Sequence, residues 1–142
     1  MRDRTVAAVG TLVVVIHAVI AALNGAAHGD LGIQMSTAEN VFIDAVIVAA
    51  PVIAAVALWT PFARVGAIVL AISMGGALLF GAYHHYVVVS PDHVAHLPAG
   101  NLQGLFRITA ALLVVSEAVG LGVGAWGARR AAGRGIGYSV SS

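Results

Sequence analysis

Four long apolar stretches, from about Val6 to Ala27, Ala38 to Trp59, Ala63 to Val87 and Leu102 to Gly127, dominate the chain. A helix needs about 20 such residues to cross the roughly 30 Å of a bilayer's hydrocarbon. Each run is that long, and none shows the period-two alternation of a half-buried strand. The expected fold is therefore all-α: an integral membrane bundle of four up-down-up-down helices. Composition agrees, because 60% of the residues are hydrophobic and 9% charged, against about 25% charged in a soluble domain. The first run is longer than the roughly 7–15 residues of a signal-peptide core and is read as a retained span. Residues 1–127 form one transmembrane domain on this reading, and residues 128–142, rich in Arg, Gly and Ser, form a flexible cytoplasmic tail.

The cations give the bundle a direction. All seven are Arg: Arg2 and Arg4 precede the first span, Arg64 lies at the turn that opens the third, and Arg129, Arg130 and Arg134 follow the fourth, leaving only Arg107. The loops Gly29–Thr37 and Val88–Gly100 carry none. Positive charge stays on the cytoplasmic side, so both termini are expected there, in the cell membrane. The formal net charge of +1 offers no patch for nucleic acid. The absence of cysteine removes disulfides, thiolate metal sites and thiol chemistry.

Local signals refine the spans. Ser36 or Thr37 would cap the second, with Glu39 in its first turn. Pro51 would bend it, since proline cannot donate to the ladder. Gly66, Gly76 and Gly81, and the run Gly120, Gly122, Gly124 and Gly127, would permit close helix contact. Gly122-Val-Gly124-Ala-Trp-Gly127 matches the dinucleotide fingerprint in form only, because it has no preceding strand.

Counting residues then sets depth. Of the six histidines, His28, His84, His85, His93 and His96 fall at or beyond the outer surface. His17 lies 11 positions before His28, about 16 Å deeper at helical rise. His17, Asn24 and His28 share a stripe of the first helix, which must face the bundle or a wet cavity. Only one of His84 and His85 can face fully inward, and spacing alone does not choose. Asp44, Arg107 and Glu117 are charges within spans, each costing about 2.5–3.5 kcal/mol at mid-membrane if unpaired. An Asp44–Arg107 ion pair is expected, with Glu117 partnered first of all by His17.

Imidazoles joined by a carboxylate suit Zn(II), Cu(II) or iron. The expected metal set is His28, His84 or His85, His93, His96 and Asp92, with copper or zinc first and haem b as the alternative. A short interfacial helix starting at Ser90-Pro91 would put Asp92, His93 and His96 together. A mid-membrane haem held by two histidines lacks its second ligand, because only His17 is deep. Three functions follow: a membrane protein with a redox-linked metal or haem site; a non-catalytic subunit or assembly factor of a larger membrane complex or homo-oligomer; and a proton-coupled or pH-responsive protein with a relay through Glu117, His17, Asn24 and His28. The residues leave enzyme status open.

Overall fold

The computed structural model describes residues 4–136, and among them there are only helices, turns and loops. The elements are α1 (Arg4–Asp30), α2 (Thr37–Phe42), a π-helical segment (Ile43–Ala49), α3 (Ala50–Leu58), α4 (Ala63–Tyr86) and α5 (Gln103–Ile136). The second span is α2, the π segment and α3 in one continuous rod, giving four helices long and apolar enough to cross a membrane. Their apolar residues do not all turn inward: Ile53, Ile72 and Leu79 are at least 65% exposed. The outer faces of these helices are therefore apolar, as a helix that crosses a membrane requires.

The ends of the second span follow from local chemistry. Ser36 is its N-cap: its hydroxyl accepts from the Glu39 backbone N–H, and the Glu39 carboxylate accepts from the Ser36 N–H, a reciprocal capping box. Further along, the ladder loosens into π turns just before Pro51, which has no N–H to return to the carbonyl of Ile47.

Each span packs antiparallel against its neighbours around a ring. Asn24 of α1 meets Thr109 of α5, Gly66 of α4 meets Ala57 of α3, and Gly124 of α5 meets Ala71 of α4. Glycine is decisive at two of these crossings. A Cβ on Gly66 would stand 2.9 Å from the Ala54 carbonyl oxygen, and one on Gly124 2.5 Å from the Ala71 nitrogen. Small residues thus bring whole backbones together, as membrane helix packing requires.

The second span touches α1 and α4 but has no principal contact with α5. That diagonal arrangement breaks the expected Asp44–Arg107 pair. Both residues are exposed, no salt bridge joins them, and the Arg107 Nε donates to the Val94 carbonyl at 3.0 Å.

The two ends of the bundle differ. Val6, Val13, Leu58, Leu70 and Met74 fill the end that carries Arg4, Arg64, Arg129 and Arg130. At the opposite, histidine end, Ala27, Leu31, Ile33, Phe106 and Ala110 make a second core, closed over by Val94 and Leu97 of the long loop. That loop contains no helix, contrary to the interfacial helix expected at Pro91. Its bonds run from His93 N–H to the Ser90 carbonyl and from His96 N–H to the His93 carbonyl, which are isolated turns. The Val94 N–H is instead taken by the His85 carbonyl, tying the loop to α4. Residues 128–136, expected in the tail, continue α5, since Ala and Arg are good helix formers. Arg2 and residues 137–142 lie outside the described residues, as does the side chain of Arg134.

Candidate functional site

The histidine stripe of α1 faces the interior, and its hydrogen bonds can be followed upward. At mid-span, buried His17 points Nε2 at the Ile47 carbonyl, 3.2 Å away. A carbonyl only accepts, so Nε2 carries the proton. Nδ1 lies 3.4 Å from the Ser116 hydroxyl, which itself donates to the Leu113 carbonyl. The His17 proton is therefore spent on the carbonyl that Pro51 cannot serve, and its other nitrogen rests beside Ser116 of α5. His17 does not partner Glu117, as expected from depth alone. Successive residues point about 100° apart around a helix, so with Ser116 turned to α1, Glu117 is turned to α4. Two turns higher than His17 comes Asn24, whose amide donates to the Thr109 hydroxyl at 2.9 Å.

At the histidine end, Asp92 reaches back from the loop and joins α1 to α4. Its Oδ1 lies 2.8 Å from His28 Nε2 and 3.3 Å from His85 Nδ1. His28 Nδ1 donates to the Asn24 carbonyl at 3.0 Å, so the single proton between His28 and Asp92 decides their charges. Burial pushes the Asp92 carboxyl up, but hydrogen bonds from His28 and His85 outweigh it and hold it down at about 2. Asp92 is thus the carboxylate and His28 Nε2 carries the proton. His85 Nδ1 also lies 3.2 Å from the Asp92 backbone carbonyl, which fixes its proton there and leaves the Nε2 lone pair without a partner among the described residues. Phe106 packs against both imidazoles, at 5.0 Å from His28 and 5.2 Å from His85.

The other expected ligands lie elsewhere. Of the adjacent pair on α4, His85 is buried and His84 half-buried. His84 donates from Nδ1 to the Phe80 carbonyl and sets Nε2 3.1 Å from Glu39 Oε1, linking α4 to the start of the second span. His93 and His96 stand together in the loop with ring centres 5.0 Å apart. The five histidines thus divide into three groups. Among the described residues, no three His, Asp or Glu side chains form a set that could hold a metal ion.

What does converge is a cavity. About 490 Å³ of space runs from Glu117 and His17 up to His28, His85 and Asp92. One wall is the small-residue stripe Ala18, Ala21, Ala22 and Gly25 of α1, and the facing wall is Ile43, Ile47 and Val48 of the π segment. Into this mainly apolar space project two buried carboxyl groups, those of Asp92 and Glu117. Asp92 Oδ2 and Glu117 Oε2 have no hydrogen-bond partner among the described residues. Gly81 lies between the two polar levels: where its Cβ would be, Glu117 Oε2 is 3.7 Å away and His85 Cδ2 3.9 Å. Gly81 and Glu39, expected from the sequence only for close helix contact and for the first turn of the second span, thus also border these groups. For Glu39 and His84 the available signal was their equal depth on consecutive antiparallel spans.

Compared with protein families, with curated proteins and with solved structures, the chain matches none of them.

Proposed function

We propose that this is a multi-pass protein of the cell membrane, with both termini cytoplasmic, that binds a small lipid-soluble molecule in its outer half by a proton-linked mechanism. The observation that carries the reading is the pair of unpartnered carboxylate oxygens, Asp92 Oδ2 and Glu117 Oε2, in one cavity with apolar walls. A buried polar atom without a partner costs about 1–3 kcal/mol, and more if charged. An occupant that brings donors recovers that energy, and a site built this way is the usual form of a small-molecule pocket. The orientation rests on Arg4, Arg64, Arg129 and Arg130, which gather at the end opposite the outer histidines, with Arg107 at the other.

The acid–base groups make binding proton-linked. The His28–Asp92 pair shares one proton, and His85 Nε2 can take another from a bound hydroxyl. Copper, zinc or haem b is the weaker reading, because the histidines that would complete a ligand set are engaged with Glu39 or stand apart in the loop.

The test is to purify the protein in detergent, extract bound small molecules for mass spectrometry, and measure metals on the same sample. Wild type should carry a lipid-soluble compound that Gly81→Ala, whose added methyl enters the cavity without a backbone clash, retains at a fraction of the level. Equal recovery from both proteins would overturn the assignment to this cavity, and a stoichiometric metal would replace it with the metal reading.

A further inference from the structure

The cavity has an open side, and its position identifies what enters. The second span packs against α1 through α3, its half towards the arginine end, while its π segment packs against α4 and has no principal contact with α1. The two rods part above the His17–Ile47 hydrogen bond, and the slot between them is the cavity's flank. Its lining is accessible there: Ala18, Ala22 and Gly25 on α1 and Val48 on the π segment are all exposed. These residues carry no charge or hydroxyl, and the slot lies at the depth of the spans. On this flank it therefore opens sideways towards lipid, while the exposed Gln34 and Asn40 line its loop end.

The polar interior constrains the headgroup. Asp92 Oδ2, Glu117 Oε2 and His85 Nε2 are all free to accept, and they lie at two levels separated by Gly81. The charge of Asp92 is already answered by His28. A single compact ammonium would satisfy one level and leave the other bare. Two hydroxyls on opposite edges of one ring would reach both. The wall of Ala18, Ala21, Ala22 and Gly25 presents no side chain beyond a methyl, so a flat ring can lie against it.

Resting on the function proposed above, we infer that the occupant is a lipid-borne hydroquinone, entering from the bilayer between α1 and the π segment, its ring hydroxyls donating to Glu117 and to the Asp92–His85 pair and its tail leaving through the slot.

The experiment uses the full chain in lipid nanodiscs under anaerobic conditions, with tritiated 2-decylhydroquinone followed by scintillation proximity. Competitors are unlabelled 2-decylhydroquinone, its 1,4-dimethyl ether, decylammonium and tail-less hydroquinone. The ether, which has no donor, should compete at least about ten-fold more weakly than its parent, and Glu117→Leu, which removes the acceptor, should weaken binding about ten-fold, as loss of a buried hydrogen bond implies. Ala22→Phe, which narrows the slot, should weaken the decyl compound about ten-fold and leave tail-less hydroquinone within two-fold. Val19→Phe, an exposed position outside the slot, should change neither. An ether as potent as its parent, or decylammonium the stronger competitor, overturns the headgroup class. Decyl and tail-less compounds responding alike to Ala22→Phe overturns the lateral route while the pocket stands. No binding by any probe, together with no co-purified compound, removes the underlying function as well.

Discussion

Removing the Asp92 carboxylate should unfasten the long loop from the histidine end, and the cost can be worked from its contacts. Asp92→Ala deletes the acceptor at 2.8 Å from His28 Nε2 and at 3.3 Å from His85 Nδ1, while the Asp92 backbone carbonyl stays beside His85. A charge-assisted hydrogen bond contributes about 1.5–3 kcal/mol. Stranding one member of a buried ion pair costs about 3–5 kcal/mol. The His28 side chain keeps 17% exposure, so some solvation survives and the lower part of that range applies: about 3 kcal/mol for Asp92→Ala. His28→Ala loses less, because Asp92 retains His85. In a double-mutant cycle the pair should show a coupling of about 1.5–3 kcal/mol. The measurement is reversible unfolding in mixed micelles by SDS, followed by circular dichroism, for wild type, both single variants and the double. A coupling below about 0.5 kcal/mol, the value of an exposed surface pair, would refute the view that this contact is a desolvated ion pair.

Acid should act on the same contact. The Asp92 carboxyl lies below its ordinary 3.8, at about 2, so its contribution is fully present above about pH 4 and is lost as pH falls towards 2; Asp92→Asn should flatten a titration of SDS midpoint over that window. Helix proximity gives a second contrast: Gly124→Ala, whose methyl would meet the Ala71 nitrogen at 2.5 Å, should destabilise by about 1–3 kcal/mol in the same assay. Gly122→Ala, with open space around it, should be neutral or stabilising by up to about 1 kcal/mol. Equal midpoints for the two glycine variants would contradict the close approach of α4 and α5.

The spans were readable because length and apolar composition are properties of one segment at a time. Level along the bundle was readable for the same reason, since His17, Asn24 and His28 are placed by counting along one helix. The Ser36 cap could be narrowed to two residues because capping is local chemistry. Partnership was not readable. Asp44 and Arg107 have the right depths and opposite charges, but they stand on diagonal spans, and nothing in a single apolar run says which runs become neighbours. His17 and Glu117 failed as a pair on a finer scale: one residue's rotation around α5 gave His17 to Ser116 and turned Glu117 towards Gly81. The choice of His85 over His84 as the buried member, left open by spacing, follows from the Met74–Gly81 stripe of α4 facing inward. The loop eluded local rules because Asp92 and Val94 are held by α1 and α4, not by a helix of their own.

The meeting of His17 with the Ile47 carbonyl carries a consequence for descent. Proline at 51 withdraws a donor from one helix, and an imidazole on another helix supplies it. Either change alone leaves a polar atom poorly served in an apolar interior, whereas the two together cost little. Residues 17 and 51, 34 positions apart and never touching a common ligand through their own side chains, should therefore be inherited as a unit. A lineage that replaced Pro51 by an ordinary helix former would be freed to lose the histidine, and with it one polar group from the floor of the cavity.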